Sequence, residues 1–342
     1  MRAVVLHEIG KPENVRVEEV AMPVPGAGEV RVALEASALN RRDVWITVGA
    51  YPRIKLPSIS GSDGAGVVDA VGAGVDAAMI GREVVIYPAR DWGDDPRGGG
   101  PNFRVLGMPD QGTFAEFICV PAANVVAKPA HLSWVQAAAF PLAGLTAWRA
   151  LITHGEVQRG QKVLVTGIGG GAAGFALLWA KFHGAEVYVT SGSDEKLAVA
   201  RGLGAKGGVN YRTAGWDKAL REMSGGIDIV IDSAGGTVVN QALNTLNVGG
   251  RFVFFGATLG NPPEGLEMAK LFFRQVRIQG TTMGRPEEFA AMVAFINRHR
   301  FLNEMISLSS RMIFSNPLFA QIPLSVSGCF TFNFFFKRSD LR

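Results

Sequence analysis

The feature that most constrains this chain is a glycine-rich run between an apolar segment and an apolar stretch of helical length. Val163-Leu164-Val165-Thr166 leads directly into Gly167-Ile168-Gly169-Gly170-Gly171, and residues 175–182 are largely apolar. Glycines at such a turn let the backbone approach a pyrophosphate closely, and the helix that follows offers N–H groups and a positive dipole to phosphates. The run therefore predicts a dinucleotide site, which we favour over a merely flexible loop because of the flanking pattern.

That pattern is an alternation of short apolar strands with amphipathic helices. We expect strands at residues 162–166, 186–190, 227–232 and 251–256, with helices between them. Such a series is typical of an α/β fold built on a doubly wound parallel sheet. The first 125 residues instead contain short valine-rich runs separated by Gly and Pro, which predicts an antiparallel, β-rich front domain.

Length and charge narrow the functional classes. The 342 residues suffice for two domains, and the net charge of +4 comes without a block of Lys and Arg, so nucleic acid is not an expected partner. The most apolar stretch, residues 137–152, is too short to span a bilayer and contains Pro141 and Arg149. The N-terminus lacks the apolar core of a signal peptide. We expect a cytoplasmic protein with no membrane partner.

The end of the second strand of the parallel sheet indicates which nicotinamide cofactor fits. An acidic residue there would hold the 2′-hydroxyl of NAD, but the sequence reads Thr190-Ser191-Gly192-Ser193, followed by Lys196. Hydroxyls and an ammonium group suit a 2′-phosphate, which a carboxylate would repel. We therefore predict NADP(H).

Several segments in order carry a resemblance to a known family. The segments AAAFPLAGLTAWRAL, VLVTGIGGG, DIVIDSAGG and GGRFVFFGATLG follow one another behind the β-rich front domain. In this order they resemble the medium-chain dehydrogenase/reductase superfamily, and within it the zinc-less quinone oxidoreductase group. The resemblance implies a GroES-like substrate domain over residues 1–126 and a Rossmann domain that binds NADP(H) over residues 127–300.

The resemblance also predicts that zinc is absent. Asn40 stands where zinc enzymes of the family carry a cysteine, and Gly61-Ser62-Asp63 replaces their Gly-His-Glu triplet. Only Cys119 and Cys329 are present, and the five histidines are scattered. Zinc needs thiolate, imidazole or carboxylate ligands in tetrahedral arrangement, so we expect no metal site.

Without zinc, a plausible substrate must already be electron-poor. The resemblance implies hydride transfer to a quinone; enals, enones or enoyl thioesters are the alternative substrates, and a non-catalytic NADPH-binding protein is the alternative from another class. The match to the family motif N-x-x-D…G-x-Y-P implies that Asn40 and Tyr51 act in catalysis, with Trp45 and Tyr51 lining the substrate pocket. Tyr51 or a water on the cofactor ribose would supply the proton, while packing roles for Tyr51 and Trp45 stay open.

The same resemblance identifies cofactor-binding residues. Thr146 would lie near the nicotinamide, Lys196 and Tyr211 would contact the 2′-phosphate, and Gly256 and Thr281 belong to segments around the nicotinamide ribose. The full set is Thr146, Gly167, Gly169, Gly170, Gly171, Ala172, Ser191, Ser193, Lys196, Tyr211, Gly256, Thr281 and Met283.

The C-terminus departs from the family. Residues 301–342 are rich in Ser, Phe, Ile, Asn and Leu and lack the family's return to the front domain. We expect an aberrant segment that leaves the front domain without a strand partner, so that a damaged, inactive product is a third alternative. Family analogy further implies a homodimer through residues 251–256 and 276–280.

Overall fold

The computed structural model describes residues 1–11 and 14–300, and it describes residues 335–337 as backbone. The chain forms two compact units. The first comprises Met1–Leu142 together with the described residues from Arg285 onward, and the second comprises Ala143–Gly284. No described helix is both long enough and apolar enough to cross a membrane.

The described strands are, in chain order, β1 (Arg2–Leu6), β2 (Val15–Glu19), β3 (Glu29–Ala38), β4 (Ser58–Ile59), β5 (Asp63–Val71), β6 (Glu83–Ile86), β7 (Ala89–Arg90), β8 (Arg104–Val105), β9 (Phe117–Pro121), β10 (Val125–Ala127), β11 (Lys162–Val165), β12 (Glu186–Ser191), β13 (Gly207–Asn210), β14 (Ile227–Asp232), β15 (Leu246–Phe254), β16 (Arg277–Gly280) and β17 (Phe335–Lys337).

The described α-helices are α1 (Arg41–Thr47), α2 (Trp134–Ala138), α3 (Pro141–Trp148), α4 (Gly171–Phe182), α5 (Asp194–Leu203), α6 (Trp216–Ser224), α7 (Val238–Thr245), α8 (Met268–Phe273) and α9 (Pro286–His299). A π-helical segment, Arg149–His154, continues α3.

The first unit is built from antiparallel sheets. Its main sheet has the order β10-β6-β5-β3-β17, with β9 also paired to β3, and a smaller sheet has the order β2-β1-β4. Alternate residues of β3, β5 and β6, among them Val32, Val68 and Ile86, point into one buried cluster. The prediction of an antiparallel, β-rich front domain is confirmed.

The second unit is a parallel sheet with the order β13-β12-β11-β14-β15-β16. The chain leaves β11 toward β12 on one side and returns to β14 on the other, so the carboxyl ends of β11 and β14 border a crevice where such folds bind ligands. The predicted doubly wound sheet is confirmed. β15 begins at Leu246 rather than at Arg251, because Leu246 pairs with Ile227 ahead of a register shift.

The two compact units are bounded at Leu142 and Gly284, and the domain bounds at residues 126 and 300 stay a prediction. Helix α2 packs against β3 and β5 of the first unit. Phe289 of α9 contacts two rings of the same unit, Tyr87 at 5.7 Å and Phe140 at 6.4 Å between ring centroids. Because these contacts bury α2 and α9 in the first unit, the divisions fall after Leu142 and Gly284.

The C-terminal strand β17 pairs antiparallel with β3, with Phe335 opposite Ala38 and Lys337 opposite Ala36. The main sheet of the first unit therefore has a partner strand at these positions, where the sequence predicted none. Residues 301–334 and 338–342, the rest of the segment expected to be aberrant, lie outside the described residues. The expectation that this segment replaces a genuine terminus stays a prediction.

Candidate functional site

The glycine-rich run forms a tight turn at the crevice of the second unit. β11 ends at Val165, and α4 begins at Gly171. Gly167 and Gly169 adopt φ values of 62° and 132°. This left-handed region is strained for residues with a side chain, so the turn requires glycine at these two positions.

Two hydrogen bonds, each donated by a backbone N–H group, fix this turn against the neighbouring strand. The Gly167 N–H donates to Thr190 Oγ1 (3.1 Å), and the Ile168 N–H donates to the Thr190 carbonyl (2.8 Å). The first turn of α4 follows, where N–H groups lack intrahelical acceptors and can donate to phosphate oxygens. The sequence-predicted residues at this helix start are Gly170, Gly171 and Ala172.

Lys196 extends along the turn from the next helix. A Cβ atom placed on Gly169 would lie 2.9 Å from Lys196 Cδ and 3.3 Å from its Nζ, so the ammonium group stands beside the turn. Ser193 caps α5 by accepting from the Lys196 N–H (3.4 Å), and the Ser193 N–H donates to Ser191 Oγ (3.2 Å). A positive charge and two hydroxyls thus meet at the carboxyl end of β12.

Two further side chains converge on Gly192. A Cβ atom placed there would lie 2.8 Å from the Tyr211 hydroxyl oxygen and 3.0 Å from Arg212 Nε. Both residues directly follow β13, and Ser191 of β12 pairs with Asn210 at the end of that strand. A phenol and a guanidinium at Gly192, together with the Lys196 ammonium beside Gly169, are groups that can bind a phosphate. Asp194 lies nearby, with its carboxylate accepting a hydrogen bond from Asn210 Nδ2 (3.0 Å).

The remaining sequence-predicted cofactor residues also belong to the second unit. Thr146 is buried in α3, Gly256 follows β15, and Met283 adopts a positive φ of 48°. The Thr281 N–H donates to the Phe254 carbonyl (2.9 Å), but its buried Oγ1 has no hydrogen-bond partner among the described residues. An unsatisfied hydroxyl at the carboxyl edge of a parallel sheet is available to a bound ligand.

In the first unit, Asn40 is held by two buried carboxylates. Its backbone N–H donates to Asp43 Oδ2 (2.7 Å), and its Nδ2 donates to Asp63 Oδ2 (2.8 Å). The other Asp63 oxygen accepts the Leu142 N–H (2.8 Å), and the Asp63 carbonyl accepts the Thr113 hydroxyl (2.8 Å). Asn40 therefore sits in a fixed orientation at the start of α1.

Burial governs the charge of these carboxyl groups. Loss of solvent raises the pKa of Asp63 to about 7, against the opposing effect of the Asn40 and Leu142 donors. Burial likewise raises the pKa of Asp43 to about 6, although the charge of Arg42 and the N–H groups of Asn40 and Gly61 lower it. The pair therefore changes its charge near neutral pH.

Tyr51 lies half-buried above the guanidinium of Arg42. The Arg42 Cζ lies 4.9 Å from the centre of the Tyr51 ring, and Arg42 Nε donates to the Tyr51 hydroxyl at 3.4 Å. Trp45 is also half-buried, on α1. Tyr51 is therefore both a polar and a packing residue, since its ring packs on the buried side chains Leu6, Ile46 and Met108.

The described residues contain no group of three His, Cys, Asp or Glu side chains placed to hold a metal ion. Around Asp63 the nearest polar groups are the Asn40 amide and backbone donors, while Arg42 brings a positive charge to Ser62. Amide, hydroxyl and guanidinium groups are not the ligands that zinc prefers, so these residues do not fit a zinc site. The expectation that the activity needs no zinc stays a prediction.

The sequence predictions did not include three residues of these arrangements, which are Arg212, Arg42 and Asp63. Arg212 had a usable signal, because it directly follows a strand beside β12 and the carboxyl ends of parallel strands meet at one edge. The partners of Arg42 lie far away in the sequence, at Leu106 and Met108, and no local pattern indicates them.

Two family models match the chain. Residues 26–130 match the alcohol dehydrogenase GroES-like domain, and residues 171–298 match the zinc-binding dehydrogenase family. The zinc-type alcohol dehydrogenase-like protein YogA of Leptosphaeria maculans is 40% identical over 84% of this chain and 84% of its own length.

Solved structures share the fold. A crystal structure of an NAD-dependent alcohol dehydrogenase has a TM-score of 0.82 and 39% sequence identity, covering 87% of this chain and 89% of its own. The crotonyl-CoA carboxylase/reductase AntE in complex with NADP has a TM-score of 0.79 and 25% identity, covering 87% of this chain and 85% of its own. The comparisons thus include one NAD-dependent and one NADP-bound protein.

The raised pKa of Asp63 predicts how stability depends on pH. The contribution of Asp63 to the free energy of unfolding is complete below pH 3.8, the ordinary pKa of an aspartate in the unfolded chain. It is lost as the pH rises through the folded-state pKa of about 7. Asp63→Asn removes this titration. From pH 5 to pH 8 the free energy of unfolding of the variant should therefore rise, relative to that of the wild type, by about 3 kcal/mol. The amide side chain of the variant has one oxygen, which cannot accept hydrogen bonds from both Asn40 and Leu142. This loss should lower its free energy of unfolding by about 1–3 kcal/mol at every pH. Urea unfolding across this range would measure both effects, and parallel pH profiles would contradict the prediction.

Proposed function

Because the chain belongs to the medium-chain dehydrogenase/reductase superfamily and is an oxidoreductase of that family, we propose that it reduces quinones with NADPH and without a metal ion. The observation that carries the cofactor choice is the convergence of Lys196, Tyr211 and Arg212 around the serine-lined end of β12. Two cations and a phenol there favour a 2′-phosphate over a bare 2′-hydroxyl. AntE, with NADP in its structure, supports the same choice.

NADPH would supply the hydride, and the protein would bind and orient it. The glycine turn and the start of α4 would hold the pyrophosphate, while Ser191 and Ser193 would border the 2′-phosphate beside Lys196. On the nicotinamide side, Thr281 offers its unsatisfied hydroxyl. Thr146, Gly256 and Met283 would complete this part of the site.

The polar groups of the first unit support a substrate that needs no Lewis acid. Asn40 is fixed by Asp43 and Asp63, and no metal-binding set is present in the described part of the chain. A quinone is electron-poor enough to accept hydride without activation by a metal, whereas an alcohol must first lose a proton, which zinc promotes. Asn40 would therefore orient the substrate, and Trp45 and Tyr51 would line its pocket.

Reduction of enals, enones or enoyl thioesters is the second candidate. AntE is named a crotonyl-CoA carboxylase/reductase and supports this reading. Both substrate classes accept hydride at a conjugated carbonyl system, so the cofactor site does not distinguish them. Binding of NADPH without turnover is the third candidate, and damage by the C-terminal segment would produce that same outcome. A cytoplasmic location without nucleic-acid partners fits all three.

The cofactor proposal predicts a selective loss in Lys196→Ala. Removal of one charged partner of a phosphate should weaken NADPH binding about 10- to 100-fold, while NADH affinity changes less than about twofold because NADH lacks that phosphate. Titrations of both nucleotides by calorimetry would measure this. Lys206→Ala is the matched control, since Lys206 is an exposed lysine of the same unit paired with Glu186. An equal loss for both nucleotides would argue against a 2′-phosphate site at Lys196.

The substrate proposal predicts that the purified chain oxidises NADPH with p-benzoquinone in the presence of EDTA. Its kcat/KM should exceed that for an unsaturated aldehyde and for crotonyl-CoA. A higher kcat/KM for the aldehyde or for crotonyl-CoA would identify that class, rather than quinones, as the substrate. NADPH binding without turnover of any acceptor would leave the non-catalytic candidate, and dependence on added zinc would contradict metal independence.

We also propose that two copies associate through β16. This strand pairs with β15 on one side, lies at the edge of the parallel sheet and is exposed along its length. Ile278 on β16 is exposed, and so are Phe272 and Phe273 at the end of α8, the helix that precedes β16 in the chain. An unpaired apolar edge is a template for strand pairing with a second chain.

This association predicts a mass about twice 36.4 kDa in solution. Ile278→Lys places a charge on the edge strand and should shift the equilibrium toward monomer. Light scattering after size exclusion would measure both masses, with Met223→Lys as the control at an exposed apolar residue on α6. A wild-type monomer, or equal effects of the two substitutions, would rule out β16 as the interface.

A further inference from the structure

Arg42 is a buried arginine whose hydrogen bonds hold it in one orientation. Only 9% of it is exposed. Its Nη1 donates to the Leu106 carbonyl (2.6 Å) and to Ser62 Oγ, and its Nη2 donates to the Met108 carbonyl (3.0 Å). Because a guanidinium is planar and rigid, these contacts also fix the direction of Nε and of the flat face.

The Nε donor and the flat face are both directed at Tyr51. Nε donates to the Tyr51 hydroxyl at 3.4 Å, and Cζ lies 4.9 Å from the ring centre. A purely structural clamp of the turn at Leu106 and Met108 would need the Nη atoms alone. The hydrogen bond from Nε to the hydroxyl and the position of the guanidinium over the ring are the two contacts that link Arg42 to Tyr51.

The contact with Arg42 sets the roles of the Tyr51 hydroxyl, which accepts from Nε and can donate to another group. Nε occupies a lone pair of the Tyr51 oxygen, so the hydroxyl proton stays available to another acceptor. When that proton leaves, the oxygen becomes negative within reach of a fixed positive charge, and such charge-assisted contacts are the stronger ones. The ring also packs against Leu6, Ile46 and Met108, which limits its movement.

We propose that Arg42 is a positioning residue that aims the Tyr51 hydroxyl and stabilises the oxygen after proton donation; this rests on the proposed reductase function. Bound NADPH would supply a hydride, with its two electrons, to the quinone, and the product would be a hydroquinone anion. The Tyr51 O–H bond breaks, its proton forms the second O–H bond of the hydroquinone, and water returns a proton to the phenolate beside Arg42. The sum is quinone, NADPH and one proton converted to hydroquinone and NADP⁺.

A double-mutant cycle tests the coupling between the two residues. Tyr51→Phe keeps the ring and its stacking, and should lower kcat with quinone about a hundredfold, the lower end for a positioned acid. Arg42→Gln should lower kcat to a similar extent, and adding Tyr51→Phe to it should then cost less than about threefold, because the two residues act as one unit. Arg42→Lys keeps the charge without the planar fork and should recover part of the loss.

Ser62→Ala provides a milder test that does not remove the guanidinium. It deletes one anchor of Nη1, so kcat should fall several-fold in the wild-type background and not in the Tyr51→Phe background. Ser58→Ala is the matched control: Ser58 is also buried and lies near the Gly107 carbonyl, but its hydroxyl does not contact Arg42. Thermal shift with NADPH confirms that each variant is folded. If the Arg42 variants do not fold, the Ser62 comparison decides.

The outcomes separate this inference from the function on which it rests. Equal Tyr51→Phe effects in all backgrounds, with the wild type active, would overturn the coupling and leave the reductase function standing. Unchanged kcat in Ser62→Ala would do the same. A folded wild-type chain that binds NADPH but reduces no acceptor would overturn the proposed function, and the inference with it.

Discussion

One buried carboxylate, Asp232, holds together the ligand-binding edge of the parallel sheet. It accepts the Thr166 hydroxyl at the end of β11, and it accepts the N–H groups of Ala234 (3.3 Å) and Gly235 (2.9 Å) in the loop after β14. Its side chain thus joins the two strands where the sheet order reverses. Since Thr166 opens the glycine turn, the shape of that turn depends on this contact as well as on Thr190. Backbone donors need such fixation before they can bind phosphate without reorganisation.

The first unit uses buried charge in a different way. Asp43, Asp63 and Arg42 are almost completely removed from solvent, and each forms hydrogen bonds with named partners, although Asp43 Oδ1 has none among the described residues. Burying such groups costs free energy unless hydrogen bonds offset it, so their presence gives positional specificity rather than stability. Asn40 and Tyr51 are the two side chains that gain fixed orientations from this arrangement.

Local sequence signals were sufficient for the sheets and the glycine turn. Strand, turn and helix are adjacent in the chain there, and the positive φ values at Gly167 and Gly169 explain the residue type. The contacts of Arg212 depend instead on the pairing of β12 with β13, and those of Arg42 on a turn 64 to 66 residues away. Such contacts follow from the tertiary fold, which is also why α2 and α9 join the first unit although the sequence suggests otherwise.

The chemistry of proton delivery connects the substrate class to the first unit. Hydride addition to a quinone leaves an oxygen anion that aromaticity stabilises, so one O–H donor completes the reaction. An enone instead gives an enolate whose one proton must end up on carbon, either directly or by tautomerisation of the enol. The Arg42–Tyr51 pair presents a single phenol proton with a guanidinium beside the oxygen that loses it. For an anionic oxygen this proton completes the reaction directly, whereas an enol formed in the same way must still tautomerise to move its proton to carbon, which is the physical reason to rank quinones ahead of enones.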